Sequence, residues 1–277
     1  MSTYRSLYET GKKQLGDAGI DAPETDAWYL LEFVLQIDRT SYYMAPETEV
    51  TSGEQERYLA LLLQRSQHVP LQYITGMAPF MGYMFHVNEH VLIPRFDTEI
   101  LVEEALKRLA PKMRILDLCT GSGCIIVSLA AQKIPVTAVG SDISAQALEV
   151  AVRNAVALCT QVEFVQGDLF EAVQGCFDLI VSNPPYIPTA DMQGLQAEVQ
   201  QEPALALDGS ADGLFFYHKI TAKAGDYLNP GGWLLFEIGY DQAEEVAALL
   251  QKNAFDAIEV VKDLAGHDRV VLGRKAK

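Results

Sequence analysis

The chain has 277 residues, 49% of them hydrophobic and 21% charged, with a formal net charge of -16. That length and balance suit a folded protein with one large domain, or a large and a small one, and exclude a disordered or fibrous chain. The excess of acid disfavours tight, nonspecific attachment to a nucleic-acid backbone.

Cys119, Cys124, Cys159 and Cys176 form no CxxC pair, and no histidine is spaced to complete a zinc site. Free thiols in a reducing compartment and no bound metal are therefore expected. The start, Ser2–Thr3–Tyr4–Arg5, lacks the apolar run of a signal peptide or membrane span, which predicts a cytoplasmic location.

From Thr3 to about Thr75 the pattern is helical. Leu7, Leu15 and Ile20 share one side, Pro23 can open a second helix at its first turn, and Trp28 to Leu35 supply its apolar mass. Ser52 is the expected cap of a further helix that runs through Leu59 and Leu63 and ends before Pro70. With no glycine loop or β-rich stretch between them, these segments predict a small helical bundle.

Gly76, Gly82 and Asn88 then punctuate two apolar runs, a pattern that predicts a hairpin. Pro94 halts the following strand, and Asp97 or Thr98 can cap a helix through Ile100, Leu101 and Leu106. From Arg114 onward strands and helices alternate. Ile115–Leu118, Val136–Gly140, Val162–Val165 and Phe177–Val181 read as parallel strands, with helices after Gly123 and from Ala145 to Leu158. A polar passage follows Tyr186, then a helix over Asp212–Leu228, a turn at Gly231–Gly232, a strand over Trp233–Ile238 and a helix from Gln242 to about Gln251. Ala257–Val261 and Arg269–Leu272 close the chain, and the few residues between them leave no room for a crossover helix, so the last strand must run antiparallel to its neighbour.

Four strand ends carry the chemistry. Asp117–Leu118–Cys119–Thr120–Gly121–Ser122–Gly123 places glycines where a strand turns into a helix, so backbone can approach a ligand and helix N–H groups point at it. The next strand ends in Asp142, an acid fitted to accept both hydroxyl hydrogens of a ribose, and the third ends near Asp168. Ile126 stands where a dinucleotide fingerprint needs its third glycine, so a nucleoside with a short zwitterionic tail, as in S-adenosylmethionine, fits better.

At the end of the fourth strand stand Asn183–Pro184–Pro185–Tyr186. Pro184 has no N–H for a β-ladder and must end the strand, which puts the motif in a rigid loop at the carboxyl edge of the sheet. A planar NH2 group is a poor nucleophile, and a site that methylates it must hold both N–H bonds. The Asn183 side-chain oxygen and the Pro184 carbonyl can each accept one, and Tyr186 can lie against the flat group. Orientation and stabilisation of charge growing on nitrogen can then carry the rate without a strong base, so neither His218 nor His267 is needed. Asp117 reads as an organiser of the glycine loop.

With these residues in place the chain resembles the peptide chain release factor N5-glutamine methyltransferases, the HemK or PrmC family, over essentially its full length. The four-residue motif is shared with adenine-N6 DNA and guanine-N2 RNA methyltransferases. Specificity comes from its combination with Pro70–Leu71–Gln72–Tyr73–Ile74–Thr75–Gly76, Val91–Leu92–Ile93–Pro94–Arg95, Glu202–Pro203, Asp212–Gly213–Leu214 and Asp268–Arg269–Val270. The resemblance implies an α/β fold: a Rossmann-like seven-stranded class I methyltransferase domain over 96–277, a helical domain over 1–75 and a β-hairpin linker over 76–95. It implies S-adenosylmethionine contacts at Cys119, Thr120, Gly121, Ser122, Gly123, Asp142, Asp168, Leu169 and Asn183, and a catalytic loop of Asn183, Pro184, Pro185 and Tyr186. The implied substrate is the glutamine of the Gly-Gly-Gln loop in class 1 release factors, whose basic surroundings an acidic enzyme would attract. A monomer without a stable nucleic-acid partner is expected. Two departures stand out: Cys119 occupies the commonest glycine position of its motif, and Phe96–Asp97 replaces the usual Pro-Glu after Arg95.

Overall fold

The computed structural model describes residues 2–132 and 134–276. It divides into two compact units, one running to Gly76 and including Gln196–Gln201, the other comprising Met77–Leu195 and the residues from Glu202 on.

The first unit holds α1 (Tyr4–Asp17), α2 (Pro23–Leu35), α3 (Arg39–Met44), α4 (Ser52–Ser66) and α5 (Leu71–Thr75). Leu15, Leu30, Leu31, Tyr58 and Leu62 are buried at its centre. Gly11 has no side chain because a Cβ there would lie 2.1 Å from the Tyr58 hydroxyl, which donates to the Ala27 carbonyl at 3.1 Å. Thr51, not Ser52, caps α4: its hydroxyl accepts from Glu54 N–H while the Glu54 carboxylate accepts from Thr51 N–H, a reciprocal pair that needs the three-residue spacing. Glu198 belongs to this unit through Arg65, at 2.9 Å, and His68, at 3.0 Å.

The second unit opens with an antiparallel hairpin, β1 (Met77–Phe80) and β2 (Tyr83–His86). After it come α6 (Phe96–Leu106), β3 (Arg114–Leu118), α7 (Cys124–Ala130), β4 (Thr137–Asp142), α8 (Ala145–Ala157), β5 (Val162–Gln166) and β6 (Phe177–Ser182). The chain finishes with α9 (Phe215–Tyr227), β7 (Leu228–Glu237), α10 (Ala243–Lys252), β8 (Phe255–Lys262) and β9 (Asp268–Lys275). The seven strands of the main sheet are ordered β5-β4-β3-β6-β7-β9-β8. Neighbours from β5 to β7 are parallel, and β9 runs antiparallel to both β7 and β8. This is the Rossmann-like class I methyltransferase architecture.

Alternate residues of β3 and β6 enter two separate cores, Leu116 and Ile180 on one face, Ile115 and Leu179 on the other. Burial on both faces is why these strands read as continuous apolar runs. The chain leaves β3 toward β4 and β5 and later returns to β3's other side with β6. That reversal opens a crevice between the carboxyl ends of β3 and β6, where such sheets take ligands.

Three expected boundaries move. The helix begins at Phe215 rather than Asp212, because Gly213 has φ +74° and cannot continue a helix. The expected turn at Gly231–Gly232 lies inside β7, where Phe177 pairs with Leu228 but Leu179 pairs with Trp233, so the extra residues form a bulge. Neither Asp97 nor Thr98 caps α6: both lie inside its first turn, and Arg95 holds the cap position without a side-chain bond.

Candidate active site

A cavity of about 430 Å³ lies at that crevice. One wall is the glycine loop after β3. Gly121 takes φ +54°, a Cβ there would meet nothing within 4 Å, and its N–H donates to Asp142 Oδ2 at 2.8 Å. Asp142 Oδ1 accepts from Ser144 N–H at 2.9 Å, so backbone fixes both carboxylate oxygens while each keeps a lone pair. Burial pushes the Asp142 carboxyl above its ordinary range, and these N–H donors oppose the shift.

Beneath the loop, fully buried Asp117 accepts the Thr120 hydroxyl at 2.6 Å, in keeping with an organising role. Its Oδ1 has no hydrogen-bond partner among the described residues, and burial pushes the carboxyl up to about 7. Asn154 of α8 adds a second support, donating to the Ser122 carbonyl at 2.9 Å and to the His86 carbonyl at 3.0 Å, so the hairpin and the loop share one amide. Cys119 adopts φ +58°, the left-handed conformation that explains why glycine is the common residue there. Cys119 lines the cavity and packs against the core, and burial pushes its thiol up.

Cys119, Thr120, Gly121, Ser122, Asp142, Asp168, Leu169, Asn183 and Pro185 all line this cavity. Gly123, Pro184 and Tyr186 are not part of its wall. Gly123 sits at the cap of α7 with φ +76°, where a Cβ would come within 3.1 Å of Ala151 Cβ, so its role visible here is close packing of α7 on α8. Asp168 is half-exposed and pairs with Lys219 of α9 at 2.9 Å, while the Lys219 ammonium lies 4.8 Å from the Phe215 ring centre. Sequence reasoning missed Lys219 and Phe215, since helical spacing alone links neither to a strand end.

The opposite wall carries Arg95, Thr98 and Asn183. Arg95 pairs with Glu202, whose side chain is only 1% exposed and whose second oxygen accepts the Ile93 N–H at 2.9 Å. The acid thereby joins the segment before α6 to the one after Gln201. Asp97 reaches Arg269 at 3.1 Å, and Arg269 also holds Asp263 at 3.1 Å, so the shorter acid still finds a cation.

The backbone of the Asn183–Tyr186 loop is tightly enclosed. Gln242 donates Nε2 to the Tyr186 carbonyl at 3.1 Å, while its Oε1 accepts the Gly239 N–H at 3.0 Å. A Cβ on Gly209 would lie 2.7 Å from Tyr186 Cα, and one on Gly213 only 2.3 Å from the Tyr186 oxygen. Asn183 Nδ2 donates to the Thr98 hydroxyl at 3.4 Å, and Glu237 lies at the neighbouring strand end. Burial raises the Tyr186 phenol well above its usual range, which keeps it neutral.

These residues fit S-adenosylmethionine. The cavity is of nucleoside size, and Asp142 at its wall presents paired acceptors for ribose hydroxyls. Among the described residues no group of three potential metal ligands comes together, and no helix is long and apolar enough to cross a membrane.

Two family models match the chain: the PrmC N-terminal domain over residues 6–76 and the methyltransferase small domain over residues 95–202. A release factor glutamine methyltransferase from Geobacter sulfurreducens is 42% identical over 274 residues, spanning 98% of this chain and 96% of the relative. One from Caulobacter vibrioides is 39% identical, spanning 99% and 96%. A methyltransferase structure from Pyrococcus furiosus superimposes with a TM-score of 0.55 at 18% identity, over 72% of this chain and 91% of the other, a likeness of fold. Near-complete coverage at such identity, on a sheet whose switch point carries both motifs, shows that the chain belongs to the release factor glutamine methyltransferases.

Proposed function

We infer that Asn183 and Pro184 hold the side-chain amide of a release-factor glutamine at the mouth of the cavity, and that Asp142 and the glycine loop hold the methyl donor. As a member of its family the chain is an S-adenosylmethionine-dependent methyltransferase that acts on the side-chain N5 of the glutamine in the Gly-Gly-Gln motif of release factors. Bound at the glycine loop, S-adenosylmethionine supplies an electrophilic methyl group.

The observation that carries this reading is the state of Asn183. Its Nδ2 is engaged by Thr98, which leaves Oδ1 as the amide atom available to the cavity. An acceptor there, together with the carbonyl of Pro184, the next residue of the loop though not part of the cavity wall, would hold the two N–H bonds of a primary amide, so that the nitrogen lone pair stands clear of the amide plane. The same two oxygens would stabilise the positive charge that develops on nitrogen, on a loop whose backbone Gln242 holds before reaction begins. Tyr186, neutral and packed on the core beside α9, stiffens the loop. The Asp142 carboxylate would accept the donor's ribose hydroxyls and the Gly121 backbone would let the donor approach closely, in a cavity that Thr120, Ser122, Asp168 and Leu169 also line.

The finer assignments extend what the family resemblance implies, with charge in support. The substrates are class 1 factors, the enzyme acts as a cytoplasmic monomer, and a net charge of -16 favours a basic protein loop over stable association with nucleic acid. Incubation with labelled S-adenosylmethionine and a class 1 release factor, in parallel with DNA and with ribosomal RNA, tests the reading: label enters the release factor alone. Label in either nucleic acid at a comparable rate contradicts it.

A further inference from the structure

Phe236 of β7 pairs with Ser182 of β6 in a parallel register, so the next residues, Glu237 and Asn183, leave the two strands side by side at the same edge. Glu237 is 1% exposed. Thr98, equally enclosed on the first turn of α6, already receives the Asn183 Nδ2–H. Burial disfavours a charge on Glu237; Thr98, Asn183 and the Arg269 guanidinium favour it, Asp97 opposes it, and its Oε2 has no hydrogen-bond partner among the described residues.

A buried acid is a costly choice for mere filling, since a leucine or glutamine would occupy the space without desolvating a charge. Its distinguishing property is that the ionised form, which burial holds back to about pH 7 and which prevails above it, accepts at every position and donates at none. Against such a wall an asparagine amide has one favourable orientation, NH2 inward and oxygen outward. The reversed amide would set Oδ1 against a carboxylate oxygen and turn its N–H bonds toward the N–H bonds of an incoming glutamine amide.

We propose that Glu237, together with Thr98, is a positioning residue that fixes the orientation of the Asn183 amide and so keeps its oxygen facing the substrate. This rests on the reading that Asn183 holds the glutamine amide. Glu237 touches neither donor nor substrate in this role; it acts through Asn183. A side-chain amide in its place can accept from Asn183 or donate to it with similar ease, and the orientation is lost.

The test uses the full chain with a release factor as substrate and the variants Glu237→Gln, Thr98→Val and Asn183→Ala, with kcat, both KM values and calorimetric donor binding measured for each. Glu237→Gln is expected to lower kcat by roughly 10- to 100-fold, the scale of one misdirected charge-stabilising contact, while donor affinity and both KM values stay within about threefold. Thr98→Val gives the same signature to a lesser degree. In an Asn183→Ala background Glu237→Gln has no further effect, because the group it orients is gone. Glu237→Gln turnover within about threefold of wild type, a matching loss of donor affinity, or losses that multiply independently in the double variant would overturn the proposal. Near-normal turnover of Asn183→Ala itself marks failure of the underlying site reading instead.

Discussion

Gln242 Nε2 donates to the Tyr186 carbonyl at 3.1 Å and approaches the Gly213 carbonyl at 3.4 Å, while its Oε1 takes the Gly239 N–H at 3.0 Å. One buried amide thus ties three loops at the carboxyl edge of the sheet. Gln242→Glu removes both donors and sets a carboxylate against two carbonyls. It is expected to lower stability by about 2–3 kcal/mol and kcat by at least about tenfold. Denaturant titration and steady-state kinetics check this, and wild-type values of both would contradict it.

A methyl group on Gly213 meets the same loop from the other side. Its Cβ would stand 2.3 Å from the Tyr186 oxygen, on a backbone at φ +74°. Gly213→Ala is expected to cost about 2 kcal/mol or more and to slow turnover, with donor binding less affected because the glycine loop is untouched. Thermal unfolding and calorimetry distinguish the two effects. By contrast, Gly53→Ala, where a Cβ meets nothing within 4 Å, leaves turnover unchanged.

Asp142 offers the donor its two fixed acceptors. Asp142→Ala is expected to weaken donor binding by roughly 10- to 100-fold, the range of one charge-assisted hydrogen bond, and Asp142→Asn, which keeps one acceptor, falls between. Calorimetric titration with S-adenosylmethionine reads the change. Unchanged affinity in the alanine variant would remove the ribose assignment.

Much of this site is legible in the sequence because its signals are local. A proline that cannot join a β-ladder fixes the end of β6, glycines at Gly121 and Gly123 mark a strand-to-helix turn, and alternating strands and helices define the parallel sheet. What escaped reading is held by distant partners. Gln242 and Tyr186 are 56 positions apart, Lys219 and Asp168 are 51, and Arg95 and Glu202 are 107. No local pattern joins such pairs. The six-residue α3 and five-residue α5 are too short to show a 3.6-residue repeat. Thr51 lost the cap assignment to Ser52 in the sequence because both are hydroxyl residues, and only the spacing to Glu54 separates them.

The buried acids make stability depend on pH. Burial raises Glu237 to about 7 from an ordinary 4.5, and Asp117 to about 7 from 3.8. A carboxyl raised in the folded state leaves stability intact below its unfolded value and removes it as pH rises toward the folded value. Glu237 and Asp117 therefore subtract stability between about pH 4 and pH 7, with little further change from these groups above that. Glu237→Gln abolishes one of the two contributions. Relative to wild type its stability should rise by on the order of 1–3 kcal/mol between pH 4.5 and pH 7. Urea unfolding at several pH values measures it, and a difference that stays constant with pH contradicts the burial account.

The central claim is that Asn183 orients a glutamine amide for methyl transfer, and mass-spectrometric mapping of a release factor after reaction with wild type and Asn183→Ala tests it most directly. Wild type is expected to place one methyl group on the side-chain nitrogen of the Gly-Gly-Gln glutamine. Asn183→Ala should do so at least about 100-fold more slowly while binding S-adenosylmethionine within about threefold of wild type. A methyl group on another residue, or an Asn183→Ala rate near that of wild type, would contradict the claim.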